Sequence, residues 1–165
     1  MYARPKKECH LDTIRYEIDM LRFCEERLRA NEGNWRDEGD SNAFLEAFLV
    51  HYRNLIEFLA DHGEIRLTEP ELWAGRAVSN KDLLRLKNVA LYRKWRSPIS
   101  RYLQHITRIR AEMDRGWPVD QMYGQIEPCI KTFERLLPRI KGQERIVSPS
   151  SPLGDAHTAT IVRTG

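Results

Sequence analysis

NAFLEAFLVHYRNLIEFLADH, residues 42–62, decides the fold. Phe44, Leu45, Phe48, Leu49, Tyr52, Leu55, Ile56 and Leu59 recur at three- and four-residue spacing and cover more than half of a helix circumference. A helix apolar on so many sides is buried, which places it centrally in a bundle. Gly63, just after His62, reads as its C-terminal stop.

Working outward, residues 11–30 carry Leu11, Ile14, Ile18, Leu21 and Leu28 on one helical stripe, with Glu25 as its polar break. Residues 31–41, NEGNWRDEGDS, have two glycines, no periodicity and the composition of a loop. Residues 64–79 are irregular, and Ser79 or Asn80 caps a shorter helix expected to reach about Lys94. Ser97-Pro98 reads as the next start, with Ser as cap and Pro in the first turn, for a helix to about Arg115. After Trp117-Pro118 a last helical pattern runs through Val119, Met122, Tyr123, Ile126, Ile130, Phe133, Leu137 and Ile140. Pro128 lies inside it, so a kink or break is expected near Glu127. Strand signals are weak and no long repeat is present. The expected fold is all-α, an up-and-down bundle of four main helices plus a short or kinked fifth. The expected divisions are an N-terminal arm over 1–10, the bundle over 11–142, and a Ser/Pro-containing disordered tail over 143–165.

The chain has 165 residues, 41% hydrophobic and 31% charged, which suits one domain and is too short for a TIM barrel. No apolar run approaches membrane-spanning length, since Ala43 to Val50 is already interrupted by Glu46. The first ten residues lack the apolar core of a secretory signal, so a cytoplasmic location and no membrane association are expected. Cys9, Cys24 and Cys129 form no CxxC pair and read as inert thiols.

The formal net charge is +3, and the signs segregate along the chain. Residues 11–72 hold 15 acids and 7 bases, residues 85–115 hold 9 bases and 2 acids, and no acid stands between Leu83 and Ala111. Such segregation implies either attraction between helices or a one-sided basic surface.

Three constellations bear on chemistry. His51 and Asn54 share a helix face at i and i+3, whereas Arg53 lies about 200° round from His51 and reaches Glu57 at i+4. They read either as a polar pair held for catalysis or binding, or as a hydrogen-bonded core histidine beside a surface ion pair. Arg101, His105, Arg108 and Glu112 form a second stripe, able to grip an anion or to lie solvated. In both readings His51 and His105 are expected to meet across a helix interface. Arg93, Lys94, Arg96 and Arg101, interleaved with Tyr92, Trp95 and Tyr102, are candidates for nucleic-acid contact, with cations on phosphates and rings on bases. No HExxH or paired-Cys spacing points to a metal, and no GxGxxG, P-loop or GxSxG motif points to a cofactor or nucleophile.

AFLVHYRNLIEFL (47–59) and ISRYLQHITRIR (99–110), followed by Gly116-Trp117-Pro118, together resemble a group of small bacterial α-helical proteins to which no activity is assigned. The shared elements are His-x-Arg-Asn-Leu, here His51, Arg53, Asn54 and Leu55, and His-x-x-Arg, here His105 and Arg108. More distantly the chain resembles the HEPN superfamily of helical bundles, many of them metal-independent ribonucleases of bacterial defence and toxin–antitoxin systems. That superfamily sets four to six residues between an Arg and a His; Arg4 to His10 has this spacing, Arg101 to His105 has three intervening residues and Arg53 to His62 eight. The expected function is therefore a non-enzymatic structural or interaction module. The alternative is an HEPN-like RNA-binding or RNA-cleaving domain, with His51 or His105 as acid or base and Arg53 or Arg108 on phosphate. Expected partners are another protein or a second copy, or RNA; no cofactor is expected.

Overall fold

The computed structural model describes residues 6–30, 38–69, 72–73, 78–104 and 116–137. They form five helices: α1 (Lys6–Ala30), α2 (Glu38–Leu59), α3 (Asn80–Leu86), α4 (Val89–Gln104) and α5 (Val119–Leu136). The described residues contain no strand. The fold is the all-α up-and-down bundle that the apolar periodicities imply, with α3 as the short extra element.

Helix directions follow from which residues meet. Tyr16 meets His51 and Phe23 meets Phe44, so seven residues forward on α1 run seven residues back on α2. Glu57 meets Arg96 and His62 meets Tyr92, which makes α4 antiparallel to α2. Asn88 touches Cys129 and Tyr102 touches Trp117, so α5 returns along α4. Arg22 pairs with Glu134 and Arg29 with Asp120, closing the square between α5 and α1. α1 and α4 thus stand at opposite corners.

α1, α2 and α5 contribute their expected stripes to one core, whereas in α3 only Leu86 is buried and Leu84 is 72% exposed. Ile14, Ile18, Leu21 and Cys24 come from α1, and Met122, Ile126, Ile130 and Phe133 from α5. α2 supplies Phe48, Leu49, Tyr52, Leu55, Ile56, Phe58 and Leu59, the largest share, as its breadth of apolar surface requires. Phe58 and Trp73 set their rings edge-on to Phe133, at 5.5 and 5.6 Å between centroids.

Several boundaries differ from the sequence expectation. α1 begins at Lys6, within the expected N-terminal arm, and α2 begins at Glu38, within the expected loop. α2 ends at Leu59 rather than His62, and Asp61 (φ 65°) rather than Gly63 takes the left-handed position. The Asp61 N–H bonds the Phe58 carbonyl at 3.0 Å and the His62 N–H bonds the Glu57 carbonyl at 2.9 Å, the paired pattern of a Schellman stop. Aspartate tolerates this backbone better than most residues. Here its carboxylate also accepts the Thr68 N–H at 3.1 Å and hydroxyl at 2.8 Å. The connection is anchored further on, where the buried Trp73 indole N–H donates to the Leu67 carbonyl at 2.7 Å.

Ser79 caps α3 as expected, accepting the Asp82 N–H at 3.2 Å and donating its hydroxyl to the Asp82 carboxylate at 2.6 Å. The next boundary is a correction. The chain breaks at Lys87-Asn88, and Ser97-Pro98 lies inside α4. Asn88 is the effective cap, its side-chain oxygen accepting the Leu91 N–H at 3.2 Å. A proline inside a helix costs about 3 kcal/mol, but Leu91, Trp95, Ile99 and Tyr102 form one buried stripe across Pro98. A break there would take Ile99 and Tyr102 off that stripe, and burying two such side chains outweighs the penalty at about 1.5–3 kcal/mol for an aliphatic one alone. α5 likewise runs unbroken through Pro128, whose carbonyl accepts the Thr132 hydroxyl at 2.8 Å. The expected tail over 143–165 lies outside the described residues.

Candidate functional site

The polar centre of the bundle lies in the α1–α2 seam. His51 is 9% exposed, and its Nδ1 donates to Glu17 Oε2 at 2.7 Å. Asn54, one turn on, donates its amide N–H to the same oxygen at 3.1 Å. A carboxylate accepts only, so this contact places the His51 proton on Nδ1. The Tyr16 ring stands edge-on to the imidazole at 5.7 Å and 81°. His51 therefore turns toward α1, not toward the α2–α4 interface where a meeting with His105 was expected. His105 and Arg108 lie outside the described residues.

Arg53 occupies a different face, as the helical geometry requires. Its Nε lies 3.4 Å from Glu57, the expected i+4 partner, and Arg96 of α4 approaches the same carboxylate oxygen at 3.4 Å. Glu57 is thus held between two guanidinium groups. Beyond it the His62 imidazole stacks on Tyr92 at 4.6 Å and 22°.

Glu17, Arg53, Asn54, Glu57 and Glu64 border an open cleft of about 360 Å³ between α1, α2 and the turn after α2, with Ile14, Phe58 and Ile65 as its apolar wall. Three carboxylates against one guanidinium make it a poor host for phosphate. His51 sits behind Glu17 and is not among the lining residues. Among the described residues no group of three His, Cys, Asp or Glu could hold a metal ion, and no helix is long and apolar enough to cross a membrane.

Glu17 is the residue of this polar centre that the sequence reading lacks. Its signal is positional, since it stands three residues after Ile14 and four before Leu21, at the edge of the buried stripe. Recognising it as the His51 partner requires the antiparallel register of α1 and α2, which no local pattern encodes. Glu25, the noted polar break, is buried and pairs with Arg29. Burial pushes its carboxyl above the usual range, against the pull of Arg29.

The remaining candidates lie on α4. Arg93, Lys94, Arg96 and Arg101 are all exposed, while Trp95 and Tyr102 turn inward against Trp117. α4 contains no acidic residue. Arg96 pairs with Glu57, and Lys94 lies over the Trp95 ring at 4.6 Å. Arg93, Lys94 and Arg101 have no ion-pair partner among the described residues. Among the described residues the segregated charge does both, since Arg85, Lys87 and Arg96 pair with Asp82, Asp61 and Glu57 while Arg93, Lys94 and Arg101 form a basic surface. Of the rings expected to stack on bases, Trp95 and Tyr102 are core and the half-buried Tyr92 stacks on His62. Cys24 and Cys129 are free thiols, and burial pushes the Cys24 thiol above its ordinary pKa.

Compared with protein-family models, curated proteins and solved structures, the chain matches none at significance.

Proposed function

We propose that the chain is a non-enzymatic interaction module, in which Glu17, His51 and Asn54 clamp α1 to α2. The observation that carries this is the convergence of His51 Nδ1 and Asn54 Nδ2 on one Glu17 oxygen, at 2.7 and 3.1 Å. Histidine–carboxylate pairs also orient general bases, but such a base must reach a substrate. Here the cleft beside the pair is rimmed by Glu17, Glu57 and Glu64, and the nearest candidate cation, Arg53, is engaged by Glu57. A packing role predicts that His51→Ala lowers stability by about 1–3 kcal/mol, by leaving buried partners unpaired. The check is urea unfolding beside an RNA-cleavage assay. Cleavage abolished by His51→Ala with stability unchanged would overturn the proposal.

A second reading, RNA binding of the HEPN-like kind, draws support from Arg93, Lys94 and Arg101, exposed on α4 without carboxylate partners among the described residues. It predicts retention on heparin and RNA affinity that falls steeply with salt. Each of Arg93→Ala, Lys94→Ala and Arg101→Ala should then flatten the log–log salt slope by about one. Affinity unaffected by all three would remove α4 as the RNA surface.

A further inference from the structure

The corner of the bundle opposite α4 carries an exposed apolar strip. Tyr16 and Phe23 of α1 are 56% and 41% exposed, and Val50 of α2 is 40% exposed. Tyr16 and Phe23 stand two turns apart on one face, about 10 Å at 1.5 Å per residue. Their rings are fixed, Tyr16 edge-on to His51 and Phe23 edge-on to Phe44 at 5.9 Å, with Met20 and Ala47 partly buried along the same seam. Tyr, Phe and Met are the side chains enriched where proteins bind proteins. Beside the strip runs an exposed ridge of Asp12, Asp19 and Glu26, one acid every seven residues. Asp12 pairs with Arg15 at 3.6 Å, and Arg27 lies over the Phe23 ring at 5.2 Å, the cation nearest the strip.

We propose that this strip docks a basic amphipathic helix of a partner protein. This rests on the interaction-module reading and names the chemistry of its partner. Apolar side chains at i and i+7 of the incoming helix match the Tyr16–Phe23 spacing, and its flanking Lys or Arg meet Asp19 and Glu26. The charge pattern argues against an antiparallel pairing with a second copy, because that two-fold lays the Asp12, Asp19 and Glu26 ridges of the two copies against each other. Nor can α4 of another copy be the ligand, since its apolar stripe of Leu91, Trp95, Ile99 and Tyr102 is buried in its own bundle.

The probe is a synthetic helical peptide with Leu at i, i+3, i+4 and i+7 and Lys on the flanking positions, titrated against the full chain by fluorescence anisotropy. A second peptide carries Glu in place of Lys. The Lys peptide should bind and the Glu peptide should not. Tyr16→Ser with Phe23→Ser should weaken binding about tenfold or more, and Asp19→Lys with Glu26→Lys should exchange the preference between the two peptides. Circular dichroism confirms that these surface variants stay folded. Absence of Lys-peptide binding, equal binding of both peptides, or a dimer dispersed by the Tyr16/Phe23 change would each overturn the proposal. Those outcomes leave the clamp intact, whereas RNA cleavage dependent on His51 would remove the interaction-module reading itself.

Discussion

The seam between α1 and α2 and the outer face of α4 treat polar side chains in opposite ways. In the seam, a buried histidine and a half-buried amide and carboxylate satisfy one another. On α4, Arg93, Lys94 and Arg101 point to solvent with no opposing acid among the described residues. Burial explains the difference. A polar group withdrawn from water must find a partner or cost the fold stability, whereas an exposed arginine retains its hydration and needs none. The chemically versatile residues of the seam thus find their partners within the chain, whereas the plain cations of α4 keep their contact with solvent.

The largest expected effect calibrates the buried side of this contrast. Leu55 is 2% exposed, directly behind the seam, and Leu55→Ala should cost about 2–5 kcal/mol in urea unfolding. A loss below about 0.5 kcal/mol, the surface range, would place α2 at the periphery and dissolve the contrast.

Next comes the clamp. A double-mutant cycle on Glu17→Ala and His51→Ala should give a coupling energy of about 1 kcal/mol or more, as contacting residues do. Strictly additive losses would mean that the two side chains stabilise the fold independently.

A smaller effect, confined to acid, is expected at Asp61. Burial alone would raise its carboxyl, but the Thr68 N–H and hydroxyl, Lys87 and Arg66 outweigh that and hold it below its ordinary range. A carboxyl depressed in the folded state stabilises the fold above the unfolded pKa, about 4. That contribution is lost as the pH falls through the folded value. Asp61→Asn keeps a residue suited to the left-handed backbone, so its melting temperature should fall less steeply than wild type below about pH 4. Parallel pH curves would assign the acid sensitivity elsewhere.

The smallest expected effect marks the other side of the contrast. Arg93→Ala should change stability by no more than about 0.5 kcal/mol. A greater loss would reveal a partner for Arg93 within the chain.

Much of this architecture is legible in the sequence because it is periodic. The α2 stripe, the Met122–Ile126–Ile130–Phe133 stripe and the Ser79 cap all follow from local spacing, and so does the sharing of one face by His51 and Asn54. What local spacing misleads on is Pro98, a good helix start by composition that tertiary burial on both sides keeps inside α4. The α2 stop is misread for a related reason, since a glycine was at hand but Asp61 also closes the following turn through Thr68. Glu17 is hidden for a third reason: its role exists only once two helices are set in register so that it meets His51, 34 residues on in sequence.

Asn88 joins the bundle at a point where three helices end or pass. Its N–H donates to the carbonyl of Leu59, the last residue of α2, at 2.9 Å. Its side-chain oxygen accepts from Leu91 in the first turn of α4 at 3.2 Å, and its amide nitrogen reaches the sulfur of Cys129 on α5 at 3.5 Å. Fraying of α2, unwinding of the α4 start and withdrawal of α5 should consequently be one opening rather than three. In hydrogen exchange, the amides of Asn88 and Leu91 should share a single protection free energy, because neither can reach solvent until the same residue lets go.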